Sequence, residues 1–288
     1  MRFAFVEAEK AQLPVAMLCR ALDVSRADFY AWLGRPESER VREDRRLAVL
    51  VRAAHEAGRR TYGSPRVLRE LQAQQVRIGR KRIMRLMRSE GLRARVRRRY
   101  RCTTMSDHEQ PIAPNLLGRN FQPATRNQSW ASDTTELTTG SGKLYLAAVL
   151  DLYSRFVVGW AVSAVNDRHL VIKALDMALR RRGPGAGLLH HSDQGSPYAS
   201  EDYQRVLEAH GITCSMSRRG NCYDNAVVES WFKTLKIELG SRFDNHGHAK
   251  DELFDYIEVF YNQQRRHSAI GYISPAEYER TTAVRQAA

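Results

Sequence analysis

The chain has 288 residues and a formal net charge of +14, and its apolar and charged fractions are those of an ordinary globular protein. Its four cysteines are scattered without CxxC spacing, which argues against a disulfide framework and against a zinc ribbon. The longest apolar run, from Leu144 to Leu152, is too short to span a bilayer, and the first residues become charged too early for a signal peptide. We therefore expect a cytoplasmic protein with no membrane partner.

The excess positive charge lies entirely in the front part of the chain. Residues 1–125 hold 27 Lys and Arg against 13 Asp and Glu, whereas residues 126–288 hold 19 of each. Arginine dominates, with Arg93, Arg95 and residues 97–99 almost adjacent. Because guanidinium groups match phosphate geometry and polyanions attract such stripes, the pattern favours nucleic-acid binding, with a solvated basic tail as the alternative.

Residues 1–40 have the pattern of a small helical hairpin. A capping box formed by Ser25 and Asp28 predicts the start of the second helix. Two helices joined by a short turn are typical of helix-turn-helix DNA-binding units and also of other small helical packing units. The pattern alone leaves both interpretations open.

Residues 41–100 predict a second helix-turn-helix-like unit, which is basic and has three helices. The first helix is expected over about 42–57, and the second begins with Ser64 and Pro65 as N-cap and first helical residue. The third, over about 79–90, combines an apolar stripe with basic residues on the rest of its surface. Such a helix can lie in a DNA groove, although a solvated basic face has the same pattern. The basic residues, our candidates for DNA contact, are Arg80, Lys81, Arg82, Arg85 and Arg88.

The remainder of the chain predicts a linker over 101–125 and an α/β domain over 126–280. The linker is rich in proline and polar residues and shows little periodicity. In the domain, three β-rich segments precede alternating helices and strands, which is the order of a ribonuclease-H-like fold. The predicted elements are strands at 129–137, 143–152 and 155–163, a helix at 167–182, a strand at 188–191, a helix at 200–210, a strand at 212–216, and helices at 225–239 and 250–261.

Three carboxylates stand at positions that suggest chemistry. Asp133 lies within the first strand, where an acidic residue is costly to bury unless it binds something. Asp193 follows a short strand and precedes a glycine turn, and Glu229 lies one turn into a long helix. Taken singly, each of them could also be a helix cap or a surface charge. We interpret Asp224 as a cap of the long helix and Asp151 as a residue of the hairpin turn.

The long helix places two lysines on the same face as Glu229. At 100° per residue, Lys233 lies at about +40° from Glu229 and Lys236 at about −20°. The three side chains border the apolar stripe of the helix. The glutamate can therefore reach the end of the central sheet, with lysines available for phosphate.

The motifs around these residues resemble those of the OrfB transposases of a large bacterial insertion-sequence family, which carry a retroviral-integrase-type (DDE) catalytic core. Thirty-five residues separate Asp193 from Glu229, the spacing for which such cores are named. The resemblance covers nearly the whole chain. The matching segments are Trp130-x-x-Asp133-Thr134-Thr135, His191-Ser192-Asp193-Gln194-Gly195-x-x-Tyr198, Asp224-Asn225-Ala226-x-x-Glu229-Ser230 and Tyr261-Asn262-x-x-Arg265-x-His267.

The resemblance implies a ribonuclease-H-like integrase core, preceded by small all-α helix-turn-helix-like modules, that cleaves and transfers DNA strands. Asp133 would then bridge two Mg²⁺ or Mn²⁺ ions, Asp193 would hold one ion and Glu229 the other. Four residues near this core are expected to contact DNA, namely Lys233, Lys236, Arg265 and His267. The adjacent His190 and His191 stay open between supporting the site and a structural role at the end of a strand.

The same resemblance implies partners and a location. DNA would be bound as insertion-sequence ends and as target, by a homo-oligomer, with an upstream OrfA product acting as partner or fused to the chain. The place of action would be the nucleoid of a bacterial cytoplasm. A catalytically silent DNA-binding regulator of transposition and a ribonuclease-H-like nuclease are the alternatives. The motifs do not specify the terminal repeats, the target preference or the oligomeric state.

Overall fold

The computed structural model describes residues 1–95, 110–219, 221 and 223–287. Residues 97–99 of the basic cluster and 101–109 of the predicted linker lie outside these described residues. The helices before the sheet are α1 (Arg2–Glu9), α2 (Val15–Ala21), α3 (Arg26–Leu33), α4 (Glu39–Ala57), α5 (Ser64–Ala73) and α6 (Arg80–Ser89). The strands are β1 (Ser129–Thr139), β2 (Gly142–Asp151), β3 (Val157–Ser163), β4 (Leu189–Ser192), β5 (Thr213–Met216) and β6 (Arg242–Phe243). The other helical elements are α7 (Arg168–Arg182), α8 (Ser196–Ala199), α9 (Glu201–Ala209), α10 (Ala226–Glu238), α11 (His246–Phe254), a π-helix (Asp255–Tyr261), a 3-10 helix (Ser268–Ile270) and α12 (Pro275–Ala287).

Helices α1 to α3 form a small unit around a core of its own. The prediction of a two-helix hairpin over 1–40 is wrong in the number of helices, because α1 precedes the pair and contributes Val6 to the core. The start of α3 is as predicted, since Ser25 Oγ accepts a hydrogen bond from the backbone N–H of Asp28 at 3.4 Å. The buried side chains are Val6, Leu18, Cys19 and Phe29.

Helices α4 to α6 correspond to the three predicted helices of the basic unit. The predicted apolar stripe of α6 is confirmed, because Ile83, Leu86 and Met87 are buried. The predicted cap of α5 is displaced by one residue, since the helix begins at Ser64 with Gly63 as its N-cap. The stripe of α6 therefore faces the core of the unit and leaves the basic residues on the outer surface.

The sheet has the predicted order of strands. β1, β2 and β3 form an antiparallel meander, and β4 and β5 continue the sheet in parallel from the other edge of β1. β4 pairs with residues 129–131 of β1, and the short β6 pairs with residues 138–139 on the same edge. Between these two stretches, that edge of β1 is open to contacts from other parts of the fold.

Two separate cores cover the two faces of the sheet, because alternate side chains of a strand point to opposite faces. Ala131 and Leu137 of β1 pack in the same cluster as Val228 and Leu235 of α10. Trp130, the residue directly before Ala131, packs on the opposite face with side chains of α7 and α9. Helix α10 therefore lies over the face of β1 to which the odd-numbered residues point.

The helical unit α4–α6 packs directly on the α/β domain. Its core residues belong to the same hydrophobic cluster as the π-helix and α10. Polar bonds reinforce the contact, since the Arg266 backbone N–H donates to Tyr62 Oη at 2.9 Å and the Arg266 guanidinium bonds Glu70 at 2.6 Å. The basic unit is thus attached to the C-terminal part of the domain through α5 and the loop before it.

The described part of the predicted linker lies against the sheet. Leu117 is buried, and the backbone N–H groups of Leu116 and Leu117 donate to Ser215 Oγ on β5 at 2.9 and 3.2 Å. These side-chain bonds and a backbone bond from the Met216 N–H to the Pro114 carbonyl oxygen hold the segment, whose described residues form no helix or strand. In the ranges that the structure describes, no helix combines the length and the apolar character needed to cross a membrane.

Candidate active site

The pairing of β1 with β4 sets Asp133 and Asp193 at the same level of the sheet. In the parallel register, Trp130 lies opposite His190 and Ala131 opposite His191. Two residues further along each chain come Asp133, still in β1, and Asp193, just after the end of β4. Because side chains alternate, Asp133 follows the direction of Ala131, toward the face that α10 covers, and Asp193 lies near enough for its charge to act on Asp133.

The start of α10 is tied to the strand that carries Asp133. Asn225, the N-cap residue of α10, donates from Nδ2 to the backbone carbonyl oxygen of Ser132 at 3.0 Å across the open edge of β1. Glu229 follows Asn225 by four residues, or about 6 Å along the helix axis. The structure therefore brings Glu229 to the same end of the sheet as the two aspartates.

The three carboxylates influence one another electrostatically. Burial raises the pKa of the Asp133 carboxyl well above its usual range, and repulsion from Asp193 and Glu229 adds to this effect. Only partial compensation comes from the Asp133 hydrogen bond to the Thr134 N–H at 2.7 Å and from the Lys236 ammonium. The result is a half-buried cluster of like charges, which favours the binding of a proton or a cation.

The loop after Asp193 is shaped by the aspartate itself. Asp193 Oδ1 accepts a hydrogen bond from the Gly195 N–H at 3.0 Å. A Cβ on residue 195 would lie 3.0 Å from the same oxygen, so the glycine permits this close approach.

Within the described part of the chain, no group of three or more His, Cys, Asp or Glu side chains is close enough together to hold a metal ion.

Comparisons with known proteins identify the family to which the chain belongs. Residues 123–222 and 210–275 each match a family model described as an integrase core domain, and residues 42–100 match one described as an HTH-like domain. The insertion element IS600 uncharacterized 31 kDa protein of Shigella sonnei is 44% identical over 263 residues, covering 91% of this chain and 97% of that protein. Transposase InsF for insertion sequence IS3A of Escherichia coli (strain K12) is 39% identical over 283 residues, covering 97% of this chain and 98% of that protein.

The chain belongs to the insertion-sequence transposases with an integrase core domain. It is thus an enzyme of the transposase and integrase class, with a ribonuclease-H-like core preceded by helical HTH-like structure. Among solved structures, the HTLV-2 integrase catalytic core domain in complex with magnesium is 16% identical and covers 55% of this chain and 99% of that chain, with a TM-score of 0.41. The catalytic core domain of BIV integrase is 19% identical and covers 56% of this chain and 99% of that chain, also with a TM-score of 0.41.

The two lysines of the transposase lie near the carboxylates, as the helical geometry predicted. Lys233 Nζ is 3.4 Å from Glu229 Oε2, an ion pair one helical turn apart. Lys236 is half-buried, and this burial lowers the pKa of its ammonium group, while the charges of Glu136 and Asp133 act in the opposite direction. Their contact with DNA stays a prediction.

The prediction that Arg265 contacts DNA is wrong. Its guanidinium is buried and forms two bonds to Glu238, from Nε to Oε2 at 2.7 Å and from Nη2 to Oε1 at 2.8 Å. A guanidinium whose fork is filled in this way serves the core, where it joins the end of α10 to the segment after the π-helix. Arg265 is therefore a structural residue of the transposase.

His267 has a mainly structural environment. Its Nδ1 accepts a hydrogen bond from the Ala269 backbone N–H at 3.4 Å and caps the 3-10 helix. Burial, together with the nearby Arg265 cation, lowers the pKa of His267 to about 3, so the imidazole is neutral at pH 7. It cannot attract phosphate as a cation, and a DNA contact of another kind stays a prediction.

Asp224 is not the cap of α10, contrary to the prediction. The N-cap is Asn225, while Asp224 is buried and accepts bonds from Arg119 and Arg218. The hydrogen bond from Arg218, above all, holds the pKa of Asp224 well below its usual range. Asp151 does serve the hairpin turn, because its carboxylate accepts hydrogen bonds from the N–H groups of Asn127 and Tyr153 at 2.8 and 2.9 Å.

His190 and His191 are structural residues of the sheet. His190 Nε2 bonds Ser132 Oγ at 2.7 Å, and His191 lies between Ser215 Oγ and Ser217 Oγ at 2.9 and 3.2 Å. Burial lowers the pKa of His190 to about 3 and that of His191 to about 4, so both rings are neutral. They link neighbouring strands beneath the aspartates.

The basic residues of α6 remain candidates for DNA contact. Arg82 and Arg85 pair with Asp44 of α4 at 2.8 and 2.6 Å, and Arg80 bonds Ser64 Oγ at 3.4 Å. These bonds lie within the helical unit and orient the basic surface. The involvement of Arg80, Lys81, Arg82, Arg85 and Arg88 with DNA stays a prediction.

Sequence reasoning missed Asn225, Arg119 and Arg218. Asn225 is buried and fixes α10 to β1, and the two arginines neutralise Asp224. The signal for them in the sequence was the pair of Asp224 and Asn225 directly before α10. Ser132 and Arg119 lie too far away in the chain to be assigned as partners of this pair without the fold, whereas Arg218 comes six residues before Asp224.

Proposed function

We propose that Asp133, Asp193 and Glu229 are the catalytic carboxylates of this transposase and that they act in metal-dependent cleavage and strand transfer of DNA. The observation that carries the proposal is their placement. β1 sets Asp133 level with Asp193, and the bond from Asn225 to Ser132 holds α10 with Glu229 over the same edge of the sheet.

The spacing of the three carboxylates in the described structure does not form a metal cluster, but the chemistry of their donor atoms suits a hard divalent cation. All three donors are carboxylate oxygens, which are the ligands that Mg²⁺ and Mn²⁺ prefer. Burial, and after it repulsion from Asp193 and Glu229, raises the pKa of Asp133, and a bound cation would relieve that repulsion. Asp133, Asp193 and Glu229 would together hold the ions, which when bound would activate the attacking oxygen and stabilise the leaving oxygen.

The two proposed reactions balance without a high-energy cofactor. In cleavage, a water oxygen forms a bond to phosphorus, and the bond to the 3′-oxygen of the element's end breaks to release a 3′-hydroxyl. In strand transfer, this hydroxyl attacks a target phosphodiester, so that one phosphodiester forms as another breaks. Lys233 and Lys236 would hold the DNA phosphates beside the carboxylates.

The assembly around the reaction is also part of the proposal. The helices over 42–95 would bind DNA with the basic face of α6, and two copies or more of the chain would pair two DNA ends. An upstream OrfA product, separate or fused, would recognise the terminal repeats. The reaction would take place on the nucleoid in the bacterial cytoplasm. The domain limits that we propose are 1–40, 41–100, a connection over 101–125, and 126–280.

A branched DNA that imitates the strand-transfer product tests the carboxylates without requiring end recognition. The wild-type chain is expected to reseal the branch in Mg²⁺ or Mn²⁺ and not in EDTA. Asp133→Asn, Asp193→Asn and Glu229→Gln should each lower the rate by at least about a hundredfold while DNA affinity stays within about threefold. Asp251→Asn, at an exposed aspartate of α11, is the matched control and should behave as wild type.

Each competing function has its own result in this assay. Wild-type resealing in any one of the three variants would remove that residue from the catalytic set. Cleavage without resealing would indicate a nuclease. DNA binding without either reaction, in both metals, would favour the regulator and contradict the proposal for the isolated chain.

A further inference from the structure

The hydroxyl group of Tyr198 is buried and has no hydrogen-bond partner among the residues that the structure describes. The side chain is 2% exposed, and its Oη atom belongs to the buried polar atoms that lack such a partner. A buried polar group without a hydrogen bond destabilises a fold, because it has lost its bonds to water and gained none in exchange. A phenylalanine at position 198 would fill nearly the same space without that loss. The stability of the fold therefore does not explain the hydroxyl.

The ring of Tyr198 is oriented by contacts that do not involve its hydroxyl. It packs in the core on the side of the sheet that α7 and α9 cover. Its centre lies 5.3 Å from the centre of the Tyr203 ring, at an interplanar angle of 88°, which is an edge-to-face arrangement. The backbone is bonded as well, since the Tyr198 N–H donates to the Gly195 carbonyl oxygen at 3.0 Å and the Tyr198 carbonyl oxygen accepts from Gln204 Nε2 at 2.7 Å. Packing and backbone bonds thus hold the ring in one place.

The hydroxyl lies within electrostatic reach of two of the three carboxylates. Burial raises the pKa of Tyr198 well above its usual range, and Tyr203 and then the charges of Asp133 and Asp193 add to the effect. The phenol therefore keeps its proton at pH 7 and is a neutral donor near two acceptors. The turn between Asp193 and α8 brings the ring back to the aspartate, because Asp193 Oδ1 accepts a hydrogen bond from Gly195, the N-cap residue of α8.

The neighbouring Tyr203 shows what a hydroxyl that serves the fold does here. Tyr203 Oη bonds His190 Nε2 at 3.1 Å, and the same nitrogen bonds Ser132 Oγ at 2.7 Å. These bonds join α9 to β4 and β4 to β1. Both tyrosines are buried in the same core, so they form a matched pair in which the described fold uses one hydroxyl and not the other.

A carboxylate that binds a cation can use a further hydrogen-bond donor. In the part of the chain that the structure describes, no three carboxylate or other ligand side chains are close enough together to hold a metal ion, so the carboxylates have to be oriented for this purpose. Hydrogen bonds to the ligands of a metal change its affinity by about ten- to a hundredfold. A neutral O–H group can orient a carboxylate without cancelling the negative charge that attracts the cation, which a lysine or an arginine would do.

We propose that Tyr198 is a positioning residue of the carboxylate site, whose hydroxyl donates a hydrogen bond to a carboxylate oxygen of the Asp133 and Asp193 pair when that site holds a divalent cation. The inference rests on the proposed function for the presence of the cation. It assigns to the buried hydroxyl a role in the affinity for the cation and none in the stability of the fold.

The first measurement is thermal unfolding of the full chain in EDTA. Tyr198→Phe should unfold at the same temperature as wild type or higher, because the hydroxyl that it removes has no bond within the described fold. Tyr203→Phe should unfold at a temperature lower by about 2 °C or more, because it removes the bond to His190. A midpoint lowered as much in Tyr198→Phe as in Tyr203→Phe would show that the hydroxyl of Tyr198 serves the fold and would overturn the inference.

The second measurement is the binding of Mn²⁺ alone to the full chain, followed by the electron paramagnetic resonance signal of the free ion. Tyr198→Phe should raise the Kd for Mn²⁺ by about tenfold or more, whereas Tyr203→Phe should change it by less than about twofold. Asp193→Asn should remove the binding. The inference is overturned if Tyr198→Phe binds Mn²⁺ as wild type does, or if Tyr203→Phe loses as much affinity.

The same titration separates this inference from the proposed function. Mn²⁺ binding that depends on Asp193 but not on the Tyr198 hydroxyl would leave the proposed function standing and remove the positioning role. Wild type that binds no Mn²⁺, or binds it equally well after Asp193→Asn, would contradict the proposed cation site and the inference with it.

Discussion

The buried pair between Glu238 and Arg265 offers a strong quantitative test of the fold. Glu238 ends α10, the helix that carries Glu229, and the side chains of the pair are 4% and 3% exposed. Tyr256 Oη also donates to Glu238 Oε2 at 2.9 Å. Replacing Glu238 by Gln keeps the volume of the side chain but removes the only negative charge that these bonds bring to the Arg265 guanidinium.

The expected cost follows from the burial of the arginine. Breaking a buried ion pair by removing one partner costs about 3–5 kcal/mol, because the remaining charge stays in a poorly solvated place. An arginine cannot avoid this by losing its proton. We therefore expect Glu238→Gln to lower the free energy of unfolding by about 3 kcal/mol or more.

Urea unfolding followed by tryptophan fluorescence measures this loss, since Trp231 is buried on α10. The control is Glu201→Gln, which removes the same charge from the exposed pair of Glu201 and Arg205 and should cost less than about 1 kcal/mol. Replacing both members of the buried pair by Leu and Met should recover part of the stability, because no unpaired charge is left inside. Equal losses in Glu238→Gln and Glu201→Gln would refute the reasoning.

Three further predictions concern packing, pH and DNA affinity. Gly159→Ala should unfold the domain or lower its free energy of unfolding by several kcal/mol, because the new Cβ would lie 2.2 Å from the Ala174 carbonyl oxygen. Gly185→Ala is the control and should be neutral, because nothing lies within 4 Å of its Cβ. Equal midpoints of thermal unfolding for the two variants would disprove the close approach of β3 and α7. The pKa of His267 is about 3 in the fold, against an ordinary value of about 6.5. The unfolded chain therefore binds one more proton than the folded chain as the pH falls below about 6.5, and the free energy of unfolding falls by up to about 1.4 kcal/mol per pH unit. His267→Gln should make this dependence of the free energy of unfolding on pH less steep. A dependence as steep as that of wild type would contradict the neutral ring. Asp44→Asn should raise the affinity for DNA and steepen its salt dependence, because Arg82 and Arg85 of α6 lose the carboxylate with which they pair. Weaker binding would contradict this prediction and show that Asp44 is needed to orient the two arginines.

The sequence predicted the sheet well because its signals were local. Alternation and turn residues located β1, β2 and β3, and Asp167 and Gly183 marked the ends of α7. The elements that it missed depend on distant contacts. β6 has two residues and exists only as a partner of the end of β1, and α1 is defined by the packing of Val6 in a core that three helices share.

The electrostatic surroundings of Asp133 and Asp224 explain why local patterns could propose the three carboxylates but misassigned Asp224 of the same motifs. Two arginines lower the pKa of Asp224, namely Arg218, six positions before it, and Arg119, 105 positions before it. Asp133 has the opposite surroundings, in which burial and two carboxylates raise its pKa and one lysine compensates in part. A buried carboxylate whose charge is compensated by neighbouring cations of the protein serves the fold. A buried carboxylate whose charge is not compensated attracts a positively charged ligand. By this criterion Asp224 belongs to the architecture of the transposase, and the unmatched negative charge around Asp133 is the property that would attract the proposed divalent cation.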